Sequence, residues 1–292
     1  MNELKFEEMI RSITVILILF STLLSAQNIY SLQFDGSNDY VDCGVPSGYS
    51  FDDMTIMCWI KTNVSPGTYQ GVVTKDCDGC PTDFSILIHT PNIGAISFGG
   101  DGLGEVTGGT VNDGVWHHVA GTRDGTTGKV KLYIDGFLID SAIGGTSMIQ
   151  NNEKLQFGRY IPTNPHFYQG QLDEVSIWDI ELTQSQIQYR MQFCPSGNEI
   201  GLKGYWNLNE GTGSTANDVT ANNNDGILMN GPTWNSDVPI TCLLPEVQIE
   251  NADLYIKSLT KGVIMKSPDG FCWKLSVNNS GTIVVTSVPC PE

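Results

Sequence analysis

Residues Trp116 to Asp140 read WHHVAGTRDGTTGKVKLYIDGFLID. Within them Val130, Leu132 and Ile134 alternate with Lys131, Tyr133 and Asp135, the two-residue period of a strand rather than the longer period of a helix. Asp135-Gly136 sits between two such runs. Both central residues of a type I′ turn need positive φ, which Asp tolerates and Gly adopts freely, so this pair predicts a tight hairpin. A second turn, Asp124 to Gly128, joins the Trp116 run to the Lys129 run. The stretch therefore predicts three antiparallel strands in a meander.

Outward from the meander the pattern recurs. Tyr30 to Val41, Met54 to Thr62, Phe84 to His89, Ala95 to Phe98 and Leu172 to Trp178 are short runs divided by Gly-, Pro- and Asn-containing turns. Such spacing is that of an all-β sandwich. In the second run Ile56, Cys58 and Ile60 share one face, with Met57, Trp59 and Lys61 on the other; Trp59 reads as packed core rather than a sugar platform. Only the segment from Leu182 departs from this. There Thr183 and Gln186 have capping-box spacing, which predicts one short helix ending near Cys194-Pro195.

Several blocks carry a resemblance: LQFDGSNDYV (32–41), TIMCWI (55–60), WHHVA and LYIDG in the meander, LQFGR (155–159) and GQLDEVSI (170–177). In this order they resemble a laminin-G-like domain of the concanavalin A-like class. The resemblance implies an antiparallel jelly-roll sandwich over residues 27–242 and a role in binding carbohydrate or surface glycoconjugates, or in adhesion. The Gly- and Asn-rich segment 202–239 resembles the part that in this family precedes the LQFDG strand. Here it follows the closing strand, so a circular rearrangement is expected in which Tyr205 to Leu208 and Gly226 to Met229 add strands to the same sandwich.

The chain has 292 residues, enough for a large core and a small appendage. Its 32 acidic against 15 basic residues, a net charge of −17, argue against nucleic acid as a partner, since phosphate binding needs clustered Lys and Arg. Residues 13–24, ITVILILFSTLL, are too short to span a bilayer and end in Ser25-Ala26. They predict a secretory signal peptide, residues 1–26, and a secreted or cell-surface protein without a membrane span after cleavage. Three acidic residues precede the run, whereas a start at Met9 gives a basic leader. An uncleaved anchor is the competing reading.

An exported chain with eight cysteines is expected to pair most of them. Proximity favours Cys77 with Cys80, Cys194 with Cys242 and Cys272 with Cys290. Cys43 and Cys58 either pair or stay as buried thiols. The Cys77–Cys80 spacing is read as a staple, because no helix follows to activate a thiol and no second such pair supplies zinc ligands. Asp76, Asp78 and Asp83 around it offer carboxylates, but the remaining ligands of a calcium loop are missing. Residues 243–292 form a small β module with runs at Val263 to Lys266, Phe271 to Val277 and Thr282 to Ser287. It is a candidate for attachment to a surface partner.

Candidate site residues fall into two groups. The loop Gly158 to Gly170 carries Tyr160, His166, Phe167 and Tyr168, and long loops on a rigid sandwich often hold the ligand, here a glycan stacked on aromatic faces. Asp173 is expected on one face with Val175 and Ile177, where a carboxylate needs a partner. In jelly-rolls of the class it resembles, an Asp of the closing strand helps hold a structural Ca²⁺. The resemblance therefore implies Asp173 with Gly36, Asn38 and Asp35 as oxygen ligands. A hydrogen bond to backbone amides is the alternative. His117 and His118, being adjacent in a strand, face opposite sides and form no metal pair.

Some enzymes share this sandwich, so a glycoside hydrolase is the rival to a binding protein. Such an enzyme needs two carboxyls about 5 to 9.5 Å apart. Gln171 to Ser176 alternates without placing two on one face, and no serine-nucleophile, zinc-protease or phosphate-loop motif occurs. A purely structural surface protein is the third reading. No catalytic residue is assigned.

Overall fold

The computed structural model describes residues 28–65, 67–76, 83–89, 94–150, 152–161, 166–242, 263–266, 272–277 and 283–288. The expected signal peptide, Asp78 and the expected Cys77–Cys80 and Cys272–Cys290 pairings lie outside the described residues. The first strands are β1 (Ser31–Asp35), β2 (Tyr40–Asp42), β3 (Ser50–Phe51), β4 (Met54–Lys61), β5 (Gln70–Lys75), β6 (Phe84–His89), β7 (Ala95–Gly100) and β8 (Gly104–Gly108). The meander follows as β9 (Trp116–Asp124), β10 (Lys129–Ile134) and β11 (Phe137–Ile143). Then come β12 (Ile149–Gln150), β13 (Gln156–Phe157), β14 (Arg159–Tyr160), β15 (His166–Phe167), β16 (Gln169–Trp178) and helix α1 (Gln184–Gln192). The body ends with β17 (Leu202–Trp206), β18 (Thr215–Ala216), β19 (Gly226–Met229) and β20 (Thr233–Asn235).

Two large antiparallel sheets result. The first runs β11-β10-β9-β4-β16-β1-β20, with β17 also on β16; the second runs β18-β19-β2-β13-β5-β6-β7-β8. This is the all-β jelly-roll sandwich. The meander forms as read, with Asp135 at φ 51 and Gly136 at φ 77 in its two-residue turn. Residues 202–235 contribute to both layers, β17 and β20 to the first and β18 and β19 to the second. The disulfide Cys194–Cys242 closes the 48-residue span around them. Cys43 and Cys58 are both free and buried, which decides between the two readings of that pair.

Between the sheets one core takes in Phe34, Ile56, Cys58, Ile60, Val119 and Leu132 from the first and Val41, Ile86, Ile88, Phe98 and Phe157 from the second. A smaller cluster covers the outer face of the first sheet, where Leu182 and Ile187 of the α1 region meet Met57, Ala120, Tyr133 and Trp178. Alternation alone puts Tyr133 on a solvent face, yet it is 4% exposed because α1 packs over it. The helix carries the full capping box: Thr183 accepts from Gln186 N–H and the Gln186 side chain reaches back. Trp59 is half-buried on this outer face, edge-on to His118 at 5.3 Å, rather than in the core.

A second unit, Pro245–Glu292, is separate from the first by contact. Its described strands, β21 (Val263–Lys266), β22 (Cys272–Val277) and β23 (Ile283–Val288), form an antiparallel meander. Among the described residues no helix is long and apolar enough to cross a membrane.

His118 is 3% exposed and its Nδ1 has no protein partner, so burial pushes its pKa down to about 4, only partly opposed by the charge of Asp135. A depressed folded pKa means the unfolded chain takes the proton first as pH falls. The neutral ring's contribution is intact above about pH 6.5 and is lost between there and about pH 4, roughly 3 kcal/mol in all. Denaturant titrations at pH 7 and pH 4.5 should show this loss in the native chain and a smaller one in His118→Gln.

Candidate functional site

Strand β16 changes neighbours along one edge. Its first half, Gln169 to Leu172, pairs with β1, and its second, Val175 to Trp178, pairs with β17. On its other edge the register with β4 slips between Asp173 and Ser176. Glu174 sits in this bulge at φ 52, a conformation that costs a non-glycine residue free energy and marks a position held by its surroundings. Strict alternation is broken here. Leu172, Val175 and Ile177 all reach the core, so Asp173 does not share a face with Val175 and Ile177 as expected.

The break gathers acids. Asp173 is fully buried; its Oδ2 accepts from Asn28 Nδ2 at 2.8 Å and its Oδ1 from the Glu174 N–H at 2.9 Å. Burial first, and the Glu174 charge second, push its carboxyl well above the usual range, with a further push from Glu210. Glu174, also buried, accepts a short hydrogen bond from the Tyr205 hydroxyl and lies 3.1 Å from Cys242 Sγ. That sulfur is bonded to Cys194 and offers no metal a thiolate ligand. Around Asp173, Asn28 Oδ1 and Glu210 Oε2 are buried without a protein partner. Asn209 Oδ1 ties the chain on the Asn28 side by accepting from Ile29 and Tyr30 N–H.

Orphaned oxygens beside a buried carboxylate are the donor set of a hard divalent cation. Asp173, Glu210 and Asn28 are the residues of this junction that would hold such a cation, through the oxygens that hydrogen-bond partners leave over, Asn28 Oδ1 and Glu210 Oε2. The Asp173, Gly36, Asn38 and Asp35 set does not assemble. Asp35 stands opposite Gln169, four residues along β16 from Asp173 and about 13 Å away at strand rise. Asp35 Oδ1 instead accepts from Ser37 N–H at 2.8 Å, and the Asn38 carbonyl accepts from Asn230 Nδ2. The sequence signal for Glu210 was the NLNEG run, whose proximity to Asp173 depends on β17 pairing with β16.

A second constellation lies on the outer face of the second sheet. An open cleft of about 420 Å³ is bounded by Tyr69, Tyr160, Asp76, Asp83, Asp101 and Glu105, over Ser85 and Leu87 of β6. Gly100 lets Asp83 approach: a Cβ there would stand 2.1 Å from the Asp83 carbonyl oxygen. The Tyr69 and Tyr160 rings are tilted 6.3 Å apart, and His166 lies 6.3 Å beyond Tyr160. Burial, then the hydrogen bond and charge of Asp76, raise the Asp83 carboxyl well above its usual range. Burial and the charges of Asp76, Asp83 and Asp101 push the Tyr160 hydroxyl up to about 12.

The four aromatic residues expected to hold a ligand are thus divided. Tyr160 lines the cleft with His166 beside it, while Phe167 packs towards Tyr40 and the Arg159 guanidinium. Tyr168 is a core residue, fully buried, its hydroxyl donating to Gln171 O at 3.0 Å with Lys61 O at 3.2 Å. It cannot meet a ligand, because β16 begins one residue later and turns its ring against Phe34 at 5.9 Å. Tyr69, Asp101 and Glu105 are not singled out by the sequence; the Gly-rich run GGDGLG at 99–104 marks a turn around Asp101 but not what that turn faces. His117 hydrogen-bonds Asp135 and Asp113, apart from His118.

A laminin-G family model, described as the concanavalin A-like lectin/glucanases superfamily, matches residues 35–188, just over half of the chain. A curated relative, the sushi, von Willebrand factor type A, EGF and pentraxin domain-containing protein 1 of Rattus norvegicus, is 32% identical over 95 residues. That stretch is 30% of this chain and only 3% of the relative. Among solved structures, a Bacteroides ovatus protein provisionally described as carbohydrate binding superposes at TM-score 0.61 and 20% identity, covering 74% of this chain and 62% of its own. A heptameric SAP-like pentraxin from Limulus polyphemus gives 0.47 and 16%, over 60% and 88%. The likeness to the Bacteroides protein shows the fold.

Replacing Tyr168 by Phe removes the hydroxyl that donates to the buried Gln171 carbonyl and should cost about 1 to 2 kcal/mol by urea denaturation.

Proposed function

The chain belongs to the concanavalin A-like lectin/glucanases superfamily, and from that premise we propose an exported carbohydrate-binding or adhesion protein that carries its glycan in the Tyr69–Tyr160 cleft. The observation that carries this reading is the pairing of two tyrosine rings with several carboxyls on a rigid sheet. Aromatic faces take the C–H surfaces of a sugar, and carboxylates accept from its hydroxyls. The carbohydrate-binding description given to the Bacteroides ovatus protein supports it. Export is supported by the apolar leader and by the Cys194–Cys242 bond, a pairing typical of oxidising compartments. The separate C-terminal meander serves attachment to a surface partner in this reading.

The geometry of the Asp76–Asp83 pair favours binding over retaining hydrolysis. Asp76 and Asp83 are within hydrogen-bonding reach of each other, closer than the roughly 5 Å of a retaining glycosidase pair. The test is a glycan array followed by calorimetry. Tyr69→Ala and Tyr160→Ala should each weaken the binding found by about tenfold. Loss of no affinity in either variant, or sugar release from a polysaccharide panel, would refute it.

Calcium is the second part of the proposal. Bound at Asp173, Glu210 and Asn28, it neutralises the buried acids and fastens the strand junction; it takes no part in glycan chemistry. Saturating calcium should raise the melting temperature of chelator-treated protein by about 5 °C. Asp173→Asn with Glu210→Gln should abolish that increase, whereas Asp35→Asn should keep it. The opposite pattern would place the ion in the Asp35 turn.

A further inference from the structure

The ribbon β14–β15 crosses the outer face of the second sheet above β5. The Arg159 carbonyl accepts from Thr74 Oγ1 at 2.7 Å, and a Cβ at Gly71 would stand 2.4 Å from that carbonyl oxygen. The Tyr69–Tyr160 cleft lies towards β6 and β7; β13 and β2 lie the other way. On that second side Tyr40 of β2 and Phe167 of β15 support the Arg159 guanidinium, whose carbon is 4.8 Å from one ring centroid and 5.9 Å from the other. The centroids are themselves only 6.4 Å apart, so both rings back the same side of the guanidinium and neither covers the opposite one. Five other bases of the body, Lys61, Lys131, Lys154, Arg190 and Lys203, each meet a carboxylate. Arg159 does not. Among the described residues its side chain has no carboxylate partner, its Nε is buried without an acceptor, and the neighbouring charge of Lys154 is of like sign. A second unmet group stands three residues back. Gln156 of β13 lies opposite Asp42 and Thr74, on the outer side because its neighbour Phe157 is in the core; it is 2% exposed and its Oε1 has no donor.

Resting on the carbohydrate reading, we propose that this face is a second glycan subsite, one that holds the carboxylate of an acidic sugar on the Arg159 guanidinium. A guanidinium presents its N–H groups as a planar fork, which a carboxylate meets with two parallel charge-assisted hydrogen bonds. The two rings beneath hold that fork in one plane, so little freedom is lost when the carboxylate docks. A hydroxyl of the sugar, or a water bound to it, supplies the donor that Gln156 Oε1 lacks. Neutral sugars lack the first contact and simple carboxylic acids the second. The net charge of −17 repels every anion, so a preference for acidic glycans has to come from a local site and not from the field of the whole chain.

The test applies the full chain, at a salt concentration of about 0.15 M, to an array of uronic and sialylated glycans, each beside its carboxyl-reduced counterpart, together with neutral and sulfated glycans. Calorimetry follows on the best acidic glycan, its reduced form and acetate. The acidic form should bind at least about tenfold more tightly than the reduced form, and acetate should not bind measurably. Arg159→Gln should shrink that preference to about twofold, and Arg159→Lys, which keeps the charge without the fork, should keep no more than about a third of it. Folding of both variants is checked by circular dichroism. Equal affinity for acidic and reduced forms overturns the subsite, as does a preference that survives Arg159→Gln or is kept in full by Arg159→Lys. Sulfated glycans bound more tightly than carboxylated ones, or acetate bound as tightly as the sugar acid, overturn it too. In each of these cases the neutral glycans and Tyr160→Ala still decide the carbohydrate reading of the cleft separately. Silence across the whole array removes both.

Discussion

The bulge at Asp173 and Glu174 is the constraint on which the first sheet depends. One strand must pair with β1 over its first half and with β17 over its second, and the two neighbours do not meet end to end. At the gap the backbone takes a positive φ and two acids become buried together. Buried like charges a residue apart destabilise a fold unless something of opposite sign holds them. Hydrogen bonds from Asn28, the Glu174 amide and Tyr205 answer part of that need. The orphaned oxygens of Asn28 and Glu210 mark the part they leave over.

This junction also explains why segment 202–210 belongs to the sandwich rather than to a tail. β17 supplies Trp206, whose ring meets Phe157 edge-on at 5.0 Å in the common core, and it delivers Glu210 to Asp173. The disulfide Cys194–Cys242 then keeps both ends of the returning segment close together, limiting the freedom of the unfolded chain. With the first sheet fixed in this way, the second can spend its outer face on a cleft. The tyrosines and carboxyls there come from the two ends of β5, from the start of β6, from the β7–β8 hairpin and from β14, all set against one strand layer.

Much of this was legible in the sequence where the physics is local. The meander followed from a two-residue period and from Asp135-Gly136, and the helix from Thr183 and Gln186. Non-local facts were not. Tyr133 looks solvent-facing until α1 covers it, and Asp173 shares a face with Val175 only if no bulge intervenes. The family resemblance places its partners at Asp35, Gly36 and Asn38, at the far end of β1, because a resemblance does not tell which end of a paired strand a side chain faces. Tyr168 stands in an aromatic-rich loop sequence, yet it lies opposite Gly158, two positions beyond the Tyr160–His166 pair, and its ring turns into the core. The cleft is assembled from five separated segments, so only Tyr160 of its aromatic pair was singled out.

A crystal structure of the protein grown with calcium and measured for anomalous scattering tests the account of the junction most directly. It predicts one ion bounded by the Asp173 and Glu210 carboxylates and the Asn28 amide oxygen. Two carboxyls hydrogen-bonded to each other with no ion between them, or an ion at Asp35 and Asn38 instead, would contradict it.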